Sequence, residues 1–370
     1  GENSVMKLPA LLKNNQIDSV LIVTDEGITS LGLMADFLQE CENIGLTTVI
    51  YDKTVPNPTI ENIEEAYALF VKNRCQGIVA FGGGSPMDCA KGVGARAARS
   101  NKSIAAMKGV LKVRKSIPPL AAIPTTAGTG SEATLAAVVT DSSTHEKYAI
   151  MDPALIPHYA VLDPLLTVGL PPHITAATGI DALTHAIEAY IGKSNTVKTL
   201  EYSRKAIKLI FENLFEAYSA GNNMEARTNM QQAAYLAGLA FTRAYVGNVH
   251  AIAHTLGGFY NVPHGLANSV TLPYVLDYYG ESVYKPLAEL ADVIGISRQA
   301  ESIEERAKMF ITQVKELNEK MRIPDKLDMI KDGDIPVMAA RALKEANPLY
   351  PVPKILSQKD MEHLYTSLKA

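Results

Sequence analysis

The first half of the chain alternates short β-branched runs with segments whose apolar residues recur at helical spacing. Residues 18–27 and 76–85 are apolar runs that end in turn residues, which is typical of buried parallel strands. Residues 32–45 have helical spacing and close on a glycine, a common helix end. This alternation predicts an α/β domain over residues 1–166, in which a parallel sheet carries helices on both faces. Ligands of such sheets bind beyond the carboxyl ends of the strands.

The pattern changes after Pro171 and Pro172, which mark a boundary. Beyond them the spacing is helical almost throughout, most clearly in residues 181–192, 199–221, 227–241 and 302–321. At 370 residues the chain is long for one core, so two domains are expected. We therefore predict an all-α, metal-binding domain over residues 167–370, with a cleft between the two domains that holds both a nucleotide and a metal ion.

The composition narrows the function classes. The chain has 35 Lys+Arg against 39 Asp+Glu, a net charge of −4 and no basic block, so neither nucleic acid nor an anionic membrane surface is expected as a partner. We find no apolar run long enough to span a bilayer and no signal peptide. The cysteines Cys41, Cys75 and Cys89 are odd in number and lack Cys-x-x-Cys spacing, which favours a reducing, cytoplasmic setting.

Two short segments combine histidines with a carboxylate at helical spacing. His250 and His254 are four residues apart, and so are Asp181 and His185, which places each pair on one face of a helix. His264 follows Pro263 and is predicted to come in from a turn. Two helices could thus present a carboxylate and several imidazoles to one point, as a divalent metal site requires. Ordinary interior or surface histidines are the alternative interpretation.

Two small-residue loops follow predicted strands and suit a phosphate. The loop Gly82–Ser85 lets the backbone approach a ligand, Ser85 with Pro86 predicts a helix start, and Asp88 could complete a capping box. The amides of that helix end would face a pyrophosphate. The loop 125–132 repeats the idea, and Asp25 could accept hydrogen bonds from a ribose. Each feature also fits a plain turn, and the glycines do not form a GxGxxG fingerprint.

Four longer motifs resemble the iron-containing (group III) alcohol dehydrogenase family, in the family's order. They are GGGSPMDCAK at 82–91, PTTAGTGSE at 124–132, ATGIDALTHAIEAY at 177–190 and HAIAHTLGGFYNVPHG at 250–265. The resemblance covers nearly the whole chain and implies a dinucleotide-binding α/β domain followed by a helical domain. There are two departures. Thr255 stands where many members have proline, and members usually have a β-strand before the point where GENSVMKLP begins this chain.

The resemblance also assigns roles to individual residues. It implies metal ligation by Asp181, His185, His250 and His264, and a place in the substrate site for His254. The positions that it implies for nucleotide binding are Asp25, Asn57, Gly83, Gly84, Ser85, Asp88, Thr125, Thr126 and Lys147. Apolar lining of a substrate pocket is a further expectation, although helix packing fits the same residues: Phe241, Thr242, Val246, Phe259 and Tyr260.

The function implied is an NAD-dependent, iron-containing alcohol dehydrogenase or aldehyde reductase. It would act on small primary alcohols or diols by hydride transfer, with the alkoxide bound to the metal and His254 as a proton relay or as a wall of the pocket. A carboxylate at Asp25 repels a 2′-phosphate, which favours NAD(H) over NADP(H). Three histidines with one aspartate imply Fe²⁺, and Zn²⁺ is the alternative ion. The family's dimers and larger rings imply a homo-oligomer.

Three other functions stay open at this point. The first is a zinc polyol dehydrogenase of the glycerol dehydrogenase type, which differs in its ion. The second is a lyase resembling dehydroquinate synthase. It is disfavoured because a phosphate-bearing substrate would need a cluster of Lys and Arg near the metal, and Arg243 is the only cationic residue close to either metal segment. The third is a non-catalytic nucleotide- or metal-binding module. The sequence does not choose the substrate or the direction of the reaction.

Overall fold

The β-branched runs of the first half form a parallel sheet, in a computed structural model that describes residues 1–144, 146–297 and 301–370. The strands are, in chain order, β1 Ser19–Val23, β2 Thr47–Tyr51, β3 Gly77–Gly82, β4 Gly109–Val110, β5 Leu120–Pro124, β6 Ala136–Asp141, β7 Glu146–Met151 and β8 Tyr159–Ala160. The main sheet has the order β2-β1-β3-β5-β8 and all its pairings are parallel. The predicted parallel sheet is therefore confirmed.

Helices cover both faces of this sheet, also as predicted. They are α1 Leu8–Asn14, α2 Glu26–Ser30, α3 Ala35–Asn43, α4 Ile60–Lys72 and α5 Gly84–Ala98. Alternate residues of each strand point to opposite faces. Val20 and Ile22 of β1 accordingly pack with α1 and with Phe37 of α3, whereas Leu21 packs with Ile63 of α4 and with α5. Burial on both faces explains why the strands read as continuous apolar runs.

The first half also contains a second, smaller sheet that the sequence analysis did not predict. Its order is β4-β7-β6, in which β6 and β7 are antiparallel and β4 joins β7 in parallel. The pattern of β6 is alternately half-buried and buried. This alternation of burial is typical of a strand with one face on the core, but the sequence of β6, AAVVTD, does not alternate between apolar and polar residues and so gave no such signal.

The second half is built of helices, with one isolated bridge between Leu327 and Lys369. The helices are α6 Pro172–Ile191, α7 Val197–Ser219, α8 Met224–Ala244, α9 Asn248–Tyr260, α10 His264–Tyr279, α11 Glu281–Val293, α12 Ile303–Lys320, α13 Ile335–Ala346 and α14 Gln358–Leu368. Among the described residues, none of the helices combines the length and the apolarity that crossing a membrane requires.

Two compact units divide the described chain. The first comprises Gly1–Thr126 and Gly130–Val168, and the second comprises Ala127–Thr129 and Gly169–Ala370. Helix α6 is the central helix of the second unit and is buried along most of its length. It approaches α7 closely at Gly179, where an added Cβ would lie 2.2 Å from Leu214 Cδ1. A helix buried on nearly every side holds the side chains that it carries in fixed positions.

Candidate functional site

Four potential metal ligands converge inside the second unit. Asp181 and His185 lie on α6, His250 on α9 and His264 on α10, and one ligand atom from each lies within 4.8 Å of the others. Asp181 Oδ1 is 3.5 Å from His264 Nε2 and 3.9 Å from His250 Nε2, while Asp181 Oδ2 is 3.9 Å from His185 Nδ1. The four-residue spacing on α6 does bring its two side chains to one point.

His264 begins a helix instead of lying in a turn, so this part of the sequence prediction is wrong. Proline disfavours helix at the residue before it but leaves the residue after it free. Asn261, at φ 55°, ends α9, and Pro263 serves as the N-cap of α10, whose first residue is His264. The imidazole is therefore held at a helix start, where its position is better fixed than in a loop.

The donor set has lone pairs that the protein itself leaves unused. His185 Nδ1 and His250 Nε2 are buried and have no hydrogen-bond partner among the described residues. The Asn268 amide donates to Asp181 Oδ1 at 2.6 Å and lies 3.2 Å from His264 Nε2. Buried polar atoms without partners are costly. Imidazole nitrogens and one carboxylate are ligands that borderline divalent ions accept, so the residues present fit such an ion.

The pKa shifts of the metal-free protein differ from one potential ligand to the next. Burial raises the pKa of Asp181, and the charge of His250 opposes that rise. Burial, followed by the charges of His250 and His254, lowers the pKa of His185 well below its usual value. Burial also disfavours the charged form of His250, but the hydrogen bond and charge of Glu188 outweigh it and raise the pKa of His250. At neutral pH, His185 thus offers an unprotonated nitrogen.

Three polar residues around the cluster escaped the sequence analysis. Glu188 Oε2 lies 2.6 Å from His250 Nδ1, and Glu345 Oε1 lies 2.6 Å from His254 Nδ1. Asn268 is the third. Glu188 follows His185 by three residues and Asn268 follows His264 by four, so helical spacing could have identified both. Glu345 comes from α13 and has no such signal.

His254 lies beside the four ligands without belonging to them. Its ring stacks on that of His264, with centroids 5.2 Å apart and an interplanar angle of 19°. Of the predicted pocket residues, Phe241 stacks on His185 at 4.1 Å. Tyr260 instead donates its hydroxyl to Asp334 Oδ2 at 2.7 Å, a packing role at the end of α9.

The predicted phosphate loop lies at the end of β3, but its helix starts differently from the prediction. Helix α5 begins at Gly84 with Gly83 as N-cap and without a side-chain cap, so Ser85 is not the capping residue. Asp88 forms no capping box either. Its carboxylate is partly buried, accepts from Ser131 Oγ at 3.3 Å, and has its pKa raised by desolvation to about 6. The amides at the start of α5 are left for a ligand or for water.

The other predicted nucleotide residues gather at the same edge of the first unit. Thr125 N–H donates to Gly82 O at 3.0 Å, and a Cβ on Gly83 would lie 3.4 Å from Thr126 Cγ2, so the two loops are neighbours. Asn57 N–H donates to Ser85 Oγ at 3.3 Å, and Lys147 Nζ donates to Asn57 Oδ1 at 2.7 Å.

Asp25 lies at the end of β1, on the neighbouring strand. Its Oδ1 accepts from Ile28 N–H at 3.0 Å and caps α2. Its Oδ2 lies 3.6 Å from the position that a Cβ on Gly82 would occupy. The carboxylate thus has a capping role, and its second oxygen faces the loop at the end of β3.

Comparisons of the sequence with known proteins cover both units. The profile described as iron-containing alcohol dehydrogenase matches residues 1–164, and that described as Fe-containing alcohol dehydrogenase family, C-terminal, matches residues 175–368. The 1,3-propanediol dehydrogenase of Citrobacter freundii is 38% identical over 349 residues, covering 93% of this chain and 90% of that protein. The lactaldehyde reductase of Escherichia coli K12 is 36% identical over 348 residues, covering 93% and 91%.

Comparisons with solved structures give the same result for the fold. A crystal structure of 1,3-propanediol oxidoreductase superposes with a TM-score of 0.96 at 36% identity, over 100% of this chain and 96% of that one. Sulfoacetaldehyde reductase from Bifidobacterium kashiwanohense, solved in complex with NAD⁺, superposes with a TM-score of 0.88 at 28% identity, over 100% and 96%. The similarity therefore extends through both units.

Proposed function

The chain belongs to the iron-containing alcohol dehydrogenase family, and from this premise we propose that it is an Fe²⁺-dependent, NAD(H)-linked oxidoreductase of small primary alcohols or diols and their aldehydes. The observation that carries the proposal is the convergence of Asp181, His185, His250 and His264, whose ligand atoms lie within 4.8 Å of one another. Relatives named 1,3-propanediol dehydrogenase and lactaldehyde reductase support a small substrate.

The proposed metal-binding domain is the second unit. An ion held there would supply Lewis acidity toward the substrate oxygen. The protein's part is to hold the four donors in place and to exclude water around them. Burial of Asp181, His185 and His250 supports this, since each is at most 5% exposed. Phe241, stacked on His185, adds an apolar surface that a short carbon chain could contact.

The proposed dinucleotide-binding domain is the first unit. We assign the diphosphate to the amides at the start of α5 and to Thr125 and Thr126, with Asn57 and Lys147 beside them. We assign the adenosine ribose to Asp25, whose charge disfavours a 2′-phosphate and so favours NAD(H). The NAD⁺ complex of the sulfoacetaldehyde reductase supports this class of cofactor.

His254 is assigned the transfer of a proton between substrate and solvent. Its Nδ1 lies against Glu345, which leaves Nε2 as the atom that exchanges the proton. The side chain is 23% exposed, whereas that of His250 is 3% exposed, so His254 has the better access to water. Imidazole is the side chain best suited to such exchange near neutral pH.

We also propose that the protein works in the cytoplasm as a homo-oligomer, without nucleic-acid or membrane partners. The buried free thiols of Cys41, Cys75 and Cys89 suit a reducing compartment. The net charge of −4 favours neither nucleic acid nor an anionic membrane surface as a partner. The homo-oligomer is proposed from the family resemblance alone, because the family contains dimers and larger rings.

An anaerobic reconstitution assay tests the proposed function. Protein stripped of metal receives Fe²⁺, Zn²⁺ or nothing, and NADH formation is followed with a panel of short alcohols and diols. Activity that returns with iron and not with zinc is the expected result. Activity with zinc alone would contradict the iron assignment in favour of a zinc polyol dehydrogenase. Inactivity with every metal, despite measurable NAD binding, would contradict the dehydrogenase itself.

A further inference from the structure

Two histidines of α9, one helical turn apart, each have a glutamate at the same ring nitrogen. His250 Nδ1 lies 2.6 Å from Glu188 Oε2, and His254 Nδ1 lies 2.6 Å from Glu345 Oε1. The glutamates come from different helices, α6 and α13. A neutral imidazole carries one proton, and a carboxylate accepts a hydrogen bond but cannot donate one. Both contacts therefore favour the tautomer with the proton on Nδ1 and the lone pair on Nε2.

Glu188 holds a chain segment as well as a ring. Its carboxylate accepts from Gly247 N–H and Val249 N–H, each at 2.8 Å, in addition to its contact with His250. The fit at Gly247 is tight, since a Cβ there would lie 2.7 Å from Glu188 Oε1. The carboxylate thus caps the start of α9 and orients the first histidine of that helix. Its side chain is 2% exposed, so water cannot replace it.

Glu345 has a more open environment. Its Oε1 accepts from Tyr350 Oη–H at 2.7 Å as well as contacting His254. The side chain is 32% exposed, so water can take over part of its hydrogen bonding if it is removed. Among the described residues, the hydrogen-bond partners of the Glu345 carboxylate are His254 and Tyr350, and neither is one of the four potential metal ligands. The two glutamates therefore have the same geometry but act on histidines with different tasks.

We propose that Glu188 and Glu345 are positioning residues with separate tasks: Glu188 directs His250 Nε2 toward a divalent cation, and Glu345 directs His254 Nε2 toward the substrate. The inference rests on the proposed function, because it assigns partners to residues of that same site. Partners that hold metal-binding histidines from behind fix the ring and strengthen the ligand, and their loss typically costs about 10- to 100-fold in affinity or activity.

The variants Glu188→Gln and Glu345→Gln separate the two tasks. Metal-free protein is titrated with Fe²⁺ or Co²⁺ under anaerobic conditions against a competing chelator, and the visible spectrum of bound Co²⁺ is recorded. Glu188→Gln should weaken both ions about 10- to 100-fold and alter the Co²⁺ spectrum. Glu345→Gln should leave affinity and spectrum as in the wild type, and should lower kcat about 10-fold without changing KM for the alcohol.

Asp334→Asn is the matched control. Asp334 accepts from Tyr260 Oη–H at the other end of α9, so Asp334→Asn removes a carboxylate that contacts the same helix but does not contact a histidine in that bond. Metal affinity and kcat of this variant should stay within about twofold of the wild type, well below the loss that a histidine partner causes. A loss as large as that of Glu188→Gln would mean that any weakening of α9 disturbs the site, which overturns the positioning role.

Further outcomes separate this inference from the proposed function. Equal ion affinity in Glu188→Gln and the wild type overturns the role of Glu188, and metal loss in Glu345→Gln overturns the division of tasks. Wild-type protein that binds neither ion overturns the proposed function instead. Should Glu188→Gln fail to fold, ¹⁵N chemical shifts of histidine rings in the Zn²⁺-loaded wild type decide the matter. The expected tautomer has the proton on Nδ1 of His250, and a proton on Nε2 contradicts the inference.

Discussion

Each unit of the chain contains a cluster of polar groups around buried side chains, and the charges of the two clusters are balanced in different ways. In the first unit, Lys91 is fully buried, and its Nζ, which has three N–H donors, lies 2.7–2.9 Å from four oxygens. Those oxygens are Ser131 O, Ser131 Oγ, Thr134 Oγ1 and Ala136 O. Burial lowers the pKa of Lys91 to about 8, and the charges of Asp88 and Glu132 oppose this shift. This cluster contains its own cation.

The cluster of the second unit contains the Asp181 carboxylate and three imidazoles. Any positive charge in it must come from protonated histidines. The favourable charges on Asp181 are those of His250 and His254. Among the described residues, the ion pairs of Asp181 are with His185, His250 and His264, and none is with lysine or arginine. Burial of such a set is costly unless something fills it. The difference agrees with the proposed function: the first cluster contains a lysine ammonium, whereas the second pairs its carboxylate with imidazoles only and is proposed to receive a divalent cation.

The largest effect is expected from breaking the second cluster at a ligand. His250→Ala should lose metal and activity together, because one of four donors disappears and Glu188 is left without its ring partner. Without the ion's Lewis acidity, kcat should fall about 1,000-fold or more, which corresponds to a rise of about 4 kcal/mol in the activation free energy. Metal content after dialysis and kcat with a short diol are the measurements.

His254→Ala is the matched variant, one turn along the same helix. It should keep the metal and lose about 100-fold in kcat or change its pH profile, because it removes a proton-transfer group. Loss of metal in His250→Ala, together with retention of metal in His254→Ala, would support the comparison between the clusters. Equal loss of metal in both variants would refute the division of roles on α9.

The sequence was sufficient for features that depend on local spacing and on long motifs. The α/β fold with helices on both faces and a helical second half is confirmed, and so is the family resemblance. Residues four apart on α6, Asp181 and His185, do lie together because helical geometry is fixed by the backbone. The nucleotide and metal roles themselves stay predictions.

Features that depend on long-range contacts could not be predicted. Glu345 reaches His254 from 91 residues away, and no pattern in the sequence of α13 marks it. Local rules also failed where tertiary packing took over. Asp88 was a candidate to complete a capping box with Ser85, but its carboxylate accepts from Ser131 Oγ, and its charge acts on Lys91. Capping preferences describe exposed helix ends and do not anticipate a buried cation nearby.

The first cluster should respond to protons where the second responds to ions, and Glu132→Gln tests this. Burial raises the pKa of Glu132 from 4.5 to about 7, opposed by its backbone hydrogen bond and by the charge of Lys91. The folded state then binds more protons than the unfolded state between these values. Unfolding free energy therefore falls as pH rises from about 4.5 to about 7, by up to about 3 kcal/mol. Glutamine cannot ionise and should lack this fall.

The measurement is the difference in stability between Glu132→Gln and the wild type in the first unit, from hydrogen exchange in β5 and α5 at pH 5 and pH 8. The free energy of unfolding of Glu132→Gln should rise relative to that of the wild type as the pH rises. An exposed residue, Glu42, provides the control Glu42→Gln, which should show no such gain. Parallel curves for Glu132→Gln and the wild type would mean that the pKa of Glu132 is the same in the folded and unfolded states, which would contradict the raised pKa.

The smallest effect is expected at Asp25 of the first unit. This carboxylate caps α2 by accepting from a backbone amide, and no cation takes part in that bond. Because Oδ1 accepts from Ile28 N–H, a glycine would remove the cap together with the charge. Asparagine caps helices as well as aspartate does, so Asp25→Asn removes only the charge. Kcat/KM for NADP⁺ relative to NAD⁺ should rise about 10-fold, the size of one charge interaction near the surface. If neither Asp25→Asn nor Asp25→Gly gains NADP⁺ use, the 2′-hydroxyl lies elsewhere, and the capping bond is the whole role of this carboxylate.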